Sequence, residues 1–192
     1  MEEMARPLSD DKRTAILAAA AEAVAVLGVS APTAKIAKEA GVAEGTLFTY
    51  FANKDELLNV LYVELKTDLR RAMMGGYPIG KSLSERVRHI WDRLIAWGSA
   101  YPLKRRAMRQ LAVSDRITEQ SKRLVADAFG EVDDLMSECA AGGTMRRQPA
   151  AFVSAVMSAI ADTTMDFIAR EPAEAGRTTK AGFDAFWKGV AR

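Results

Sequence analysis

The chain is 192 residues long and 49% hydrophobic, with 27 Lys and Arg against 25 Asp and Glu, so any contact with nucleic acid must come from local placement of charge rather than from its net charge of +2. The length admits one sizeable core or a small domain joined to a larger one, and the absence of a β-branched alternating run excludes a sheet and points to an all-α protein. The single cysteine, Cys139, excludes an intramolecular disulfide; the acidic start MEEMARPL has no basic or apolar leader; and Asp162 interrupts the best apolar run, Phe152 to Ile168, short of the roughly 18–20 residues of a membrane helix, so a soluble cytoplasmic protein without a membrane partner is expected.

A first helix spans Asp10 to Leu27, with Ile16, Ala20, Ala23, Val24 and Leu27 as its buried stripe, Asp10 and Asp11 complementing its start, and Gly28 ending it. Thr33, after Pro32, opens a short second helix. Its hydroxyl is placed to accept from an orphan amide, and Ile36, Ala37 and Ala40 share one face. Gly41 then supplies a positive φ at little strain and Val42 plugs the corner, which makes a tight turn between crossing helices. The third helix runs from about Ala43 to Phe51. Leu47 and Phe51 face inward, leaving Glu44, Thr46, Thr49 and Tyr50 outside, where small and hydroxyl-bearing side chains suit a major groove. Asn53 caps a fourth helix starting near Lys54, so that a lysine and several free amides meet at one helix N-terminus, a setting for phosphate oxygens. In this segment Lys12, Arg13, Lys35, Lys38 and Lys54 stand against Glu22, Glu39 and Glu44, a modest basic face.

The fourth helix continues to Met74 through Leu57, Leu58, Leu61, Leu65 and Leu69 and stops at Gly75-Gly76-Tyr77-Pro78. A fifth covers Leu83 to Ala100, and a shorter sixth after Pro102 bears Leu103, Met108 and Leu111. The seventh runs from Thr118 to Ala141, ahead of Gly142-Gly143; an eighth runs from Pro149 to Arg170, and a last one from Thr179 to Ala191. About nine helices are therefore expected.

The stretch AGVAEGTLFTYFANKDELL resembles the recognition region of the TetR family of bacterial regulators, whose pattern is AGVS-x-GTLY-x-YF-x-x-K-x-x-L. The resemblance covers Lys12 through Leu58. It implies a three-helix DNA-binding domain over residues 1–54 and, over 55–192, a helical bundle that senses a small molecule and dimerises. Carried over by position, it implies phosphate contacts from Thr33, Thr46, Tyr50 and Lys54 and base edges facing Glu44 and Thr49, with Lys35 and Gly45 also in the DNA-facing set. Three positions depart from the pattern. Ala43 replaces a serine whose cap is worth roughly 1 kcal/mol; Phe48 replaces a tyrosine and has no phenol; Ala34 has no reach to a base.

The small residues Ala151, Ala155 and Ala159 and the bulky Phe183, Phe186 and Trp187 read, by themselves, as an intramolecular core; the resemblance assigns them to a four-helix dimer interface. Trp91, Trp97, Met108, Phe129, Met136 and Met157, with Asp162 as a polar group, either fill the core or line a cavity for a largely apolar ligand. His89, four residues after Glu85, has no second ligand cluster and so marks no metal site, and no basic neighbour activates Cys139. Without a second histidine, a Gly-rich phosphate loop or a nucleophile elbow, neither catalysis nor a cofactor is expected. The sequence thus points to a homodimeric repressor, released from a palindromic double-stranded DNA operator by a small effector. The alternatives are a helical scaffold protein and a DNA-binding dimer without an effector.

Overall fold

The computed structural model describes residues 9–191, which form ten α-helices and one 3-10 turn, with no strand among them. In chain order these are α1 (Asp10–Leu27), α2 (Thr33–Glu39), α3 (Glu44–Tyr50), α4 (Lys54–Met74), α5 (Leu83–Ala100), α6 (Pro102–Ala112), α7 (Glu119–Ala128), α8 (Gly130–Ala140), α9 (Ala150–Arg170), the 3-10 turn Pro172–Glu174 and α10 (Ala175–Val190). The all-α expectation holds. Two compact units appear: one takes the described residues through Lys66 together with Leu103–Leu124, the other Thr67–Pro102 with Val125 onward. The division is discontinuous and falls inside α4 and α7, whereas the sequence reading places a single boundary after residue 54.

In the first unit Ile16, Ala20 and Val24 of α1, Ile36 and Ala37 of α2, Leu47 and Phe51 around α3, and Leu57, Leu58 and Leu61 of α4 are all buried. Each large side chain so covered contributes about 1.5–3 kcal/mol relative to exposure. The α1 stripe runs out one turn early: Leu27, beside the terminating Gly28, is 41% exposed. The Gln110 side-chain amide donates to the Ala25 carbonyl at 3.2 Å, fastening α6 to the end of α1.

In the second unit α9 packs on α5, α8 and α10. The start of α5 is fixed by a capping box, Ser82 accepting from the Glu85 amide and the Glu85 carboxylate from the Ser82 amide. Trp91 is buried, its indole N–H donating to the Thr179 carbonyl at 3.1 Å and its ring meeting Phe183 edge-on.

Three expectations are corrected. The seventh helix is two, α7 and α8, because the chain breaks at Phe129–Gly130: the Phe129 carbonyl accepts from both Val132 and Asp133 and begins a new helix, and glycine costs a helix interior about 1 kcal/mol. The last helix starts earlier than Thr179, at Ala175, launched by the 3-10 turn. Finally, α9 is long and apolar enough, by length and composition, to cross a membrane. Its Phe, Val, Ile, Met and Ala residues offset Asp162 and Asp166 within that count, and only 28% of its most apolar stretch is buried within the chain.

Candidate nucleic-acid interface

The corner between α2 and α3 forms as its sequence dictates. Gly41 has φ 70°, its amide donates to the Lys38 carbonyl at 3.1 Å, and the Val42 amide reaches back to Ala37 at 2.9 Å. This is the paired closure of a Schellman turn, satisfying carbonyls that a helix end would otherwise leave open. Leu47, fully buried, holds α3 to the core beneath it. The outer face carries Glu44, Gly45, Phe48 and Thr49, all exposed, with Thr46 and Tyr50 partly covered. Phe48 is 42% exposed, an apolar ring on an otherwise polar face.

Several of these groups already have partners. Thr33 is the first residue of α2 and makes no cap; the cap position belongs to Pro32, and the Thr33 hydroxyl instead donates to the Glu44 carboxylate at 2.6 Å. The Thr49 hydroxyl donates to the Thr46 carbonyl at 2.7 Å. The Tyr50 phenol oxygen accepts from the Ser9 amide at 2.9 Å, which leaves its O–H as a donor. Lys35 pairs with Glu39 one turn on at 3.8 Å. Ala43 stands at the α3 cap without a side-chain bond, as its methyl requires. Gly45 has open space around its missing Cβ.

Lys54 opens α4. Asn53 caps that helix, its side-chain oxygen accepting from the Glu56 amide at 2.8 Å, while the Glu56 carboxylate accepts from the Ala52 amide at 2.6 Å. Partial burial, and then the nearby Arg116 guanidinium, lower the Lys54 pKa; Asp55 opposes them. Arg116 is a residue that the sequence reading missed. It comes from the segment after α6, pairs with Asp55 at 2.7 Å, and is locked there by Asn59, whose amide donates to the Arg116 carbonyl at 2.9 Å and whose oxygen accepts from the Thr118 amide at 2.9 Å. No local pattern announces such a partner across 61 residues of chain.

The residues considered for a ligand cavity lie on several elements. Trp91, Met136 and Met157 are buried in packed surroundings, the Trp97 indole donates to Asp68 at 3.3 Å, and Phe129 and Asp162 are half-buried. Met108 belongs to the other compact unit. A shallow groove of about 400 Å³ lies between α9 and α10, bordered by Ala159, Ile160, Thr163, Phe167, Ala181 and Gly182. Of the small and bulky rows, Ala151, Ala155 and Ala159 are exposed, whereas Phe183 and Phe186 are buried among the chain's own helices and Trp187 stacks on Phe183.

Residues 16–61 match the family model described as bacterial regulatory proteins, tetR family. A protein of Shewanella sp. PV-4 assigned to the tetR family of transcription regulators is similar over 92% of this chain and 96% of its own, with 24% identity and a TM-score of 0.80. A TetR family transcription regulator from Marinobacter aquaeolei VT8 shares 22% identity and a TM-score of 0.82 over 94% of this chain and 96% of its own. The transcriptional regulator FadR from Bacillus subtilis, solved in complex with stearoyl-CoA, shares 16% identity and a TM-score of 0.68 over 93% of this chain and 98% of its own. Residues 16–61 are therefore similar to the DNA-binding region of the tetR family of bacterial regulatory proteins, and over its described length the chain has the fold of that family's solved transcription regulators.

Proposed function

We propose that this chain is a homodimeric transcriptional repressor that leaves a palindromic operator when a small, largely apolar effector binds. The observation that carries the reading is the exposed outer face of α3, flanked by the Tyr50 hydroxyl and by Lys54 at the start of α4. Tyr50 and Lys54 anchor phosphates and fix register; Glu44 and Thr49 face base edges and supply sequence preference. Two such faces, related by a dimer axis, enter major grooves about 34–36 Å apart or act as paired dimers on a longer site. The dimer contact is assigned to α9, where Ala151, Ala155 and Ala159 allow close approach and the exposed Phe152 and Phe167 supply apolar area. The stearoyl-CoA held by the Bacillus subtilis FadR supports an effector with a large apolar part. An effector that prefers the non-binding conformation by about 1–3 kcal/mol weakens operator affinity roughly 5- to 150-fold, and operator weakens effector binding equally.

Selection of bound fragments from random DNA, followed by titration at several salt concentrations, tests the DNA half. A palindromic consensus and a steep salt dependence are expected; failure to enrich any sequence overturns the proposal. Calorimetry of an effector with and without operator tests the other half, equal affinities ruling out ligand release. One observation bears on a second reading, a dimer that senses no small molecule: Trp91, Met136 and Met157 are buried inside the helical bundle. Under that reading no compound releases the operator.

A further inference from the structure

Resting on the DNA-binding reading above, we infer that Glu44 is a cytosine reader and that Thr33 is the residue that positions it. The two side chains are joined across the corner between α2 and α3 by the 2.6 Å hydrogen bond from the Thr33 hydroxyl to one Glu44 carboxylate oxygen, and both are near the exposed face of α3.

A carboxylate facing DNA is repelled by every phosphate and needs a base donor to offset that. In the major groove only two bases offer one, the N4 amine of cytosine and the N6 amine of adenine; guanine presents N7 and O6, and thymine O4, all acceptors. Adenine sets its N7 lone pair beside N6, so a group that only accepts meets repulsion there, which is why amide side chains suit adenine. Cytosine has no acceptor beside N4 on its groove edge. The acceptor-only Glu44 carboxylate therefore selects cytosine.

Thr33 supplies the orientation. With one oxygen held by the hydroxyl, the Glu44 side chain has fewer rotamers to lose when the second oxygen meets a base, and that second oxygen remains an acceptor. The same bond reassigns Thr33 away from phosphate. A phosphodiester has only acceptors to offer, so a hydroxyl that has given its proton to Glu44 has nothing left to donate to one. The Thr49 hydroxyl, spent on the Thr46 carbonyl, likewise cannot donate to the groove. Glu44 thus carries the charged base reading on this face, the Thr49 oxygen beside it keeps only the capacity to accept, and the exposed Phe48 ring presents apolar surface.

Parallel sequence selections with the wild-type chain and with Glu44→Ala, Glu44→Gln and Thr33→Val test this. The wild type is expected to enrich cytosine at one position of each half-site, by roughly 5- to 150-fold over other bases. Glu44→Ala loses that preference, and Glu44→Gln moves it to adenine. Thr33→Val keeps cytosine preferred by a smaller factor, with an unchanged salt slope. A Glu44→Ala consensus identical to the wild type overturns the inference while leaving DNA binding intact. A Thr33→Val variant with a shallower salt slope and full cytosine preference shows that Thr33 holds phosphate and overturns its positioning role. A wild type that enriches nothing overturns the underlying DNA-binding reading itself.

Discussion

Lys54 keeps its charge against two opposing influences, its own partial burial and the Arg116 guanidinium, which together bring its pKa below the ordinary 10.5. The ammonium is lost as pH rises through that lowered value, so a phosphate contact through Lys54 weakens on the alkaline side sooner than one through an exposed lysine. Operator affinity measured by anisotropy should decline as pH rises toward the lowered Lys54 pKa, and Lys54→Arg should flatten the decline. Lys54→Ala should weaken binding to all sequences and lower the salt slope by about 0.9; an unchanged slope would remove Lys54 from the phosphate contacts. Cys139 behaves differently. Burial pushes its thiol from the ordinary 9.0 up to about 11, so the unfolded chain gives up that proton first and stability falls as pH rises between these values. Denaturant titrations across that interval should show the fall diminished in Cys139→Ala. Single residues also mark where sequence reading stops. Ile36, Leu47 and Phe51 are legible because periodicity alone buries them, but the Thr33 hydroxyl has two suitors, and the tertiary one eleven residues away prevails over the local amide.

At the scale of elements, signals carried by chemistry within one turn of helix are the ones that read correctly. Gly41 needs positive φ wherever the helices cross, and Asn53 finds its amide three residues on. The split between α7 and α8 is less legible, because a lone glycine in an amphipathic run is tolerated as often as it ends a helix. Two glycines make the distinction testable. A methyl at Gly130 meets nothing within 4 Å and its φ is not positive, so Gly130→Ala should stabilise by about 0.4–1 kcal/mol. A methyl at Gly182 would come within 2.7 Å of the Trp91 ring and also strike the Thr164 hydroxyl. Gly182→Ala should therefore cost about 1–3 kcal/mol. Thermal melts of the two variants are expected to move in opposite directions by a few degrees. The aromatic and Met residues of α5, α8 and α9 were ambiguous for a related reason: the same side chains fill a core or line a cavity, and partners such as Thr179 and Phe183 around Trp91 come from α10, far along the chain.

For the molecule as a whole, the decisive surface is α9. Its sequence is apolar on more than one side, and burial within the chain uses only one of them. A composition count therefore reads it as membrane-like, while the exposed Ala151, Ala155 and Ala159 fit a second protein surface. Ala155→Glu should place an unpaired carboxylate in that contact and separate the protomers; sedimentation showing an intact dimer at micromolar concentration would move the interface elsewhere. If the contact is where we assign it, the uncovered side of α9 has a consequence for how the promoter is governed. Where the chain is scarcer than the dissociation constant of the pair, most protomers stand alone and the number of pairs rises with roughly the square of chain abundance. Halving synthesis then removes more than half of the operator-bound form, and the promoter opens over a narrow range of expression rather than in proportion to it.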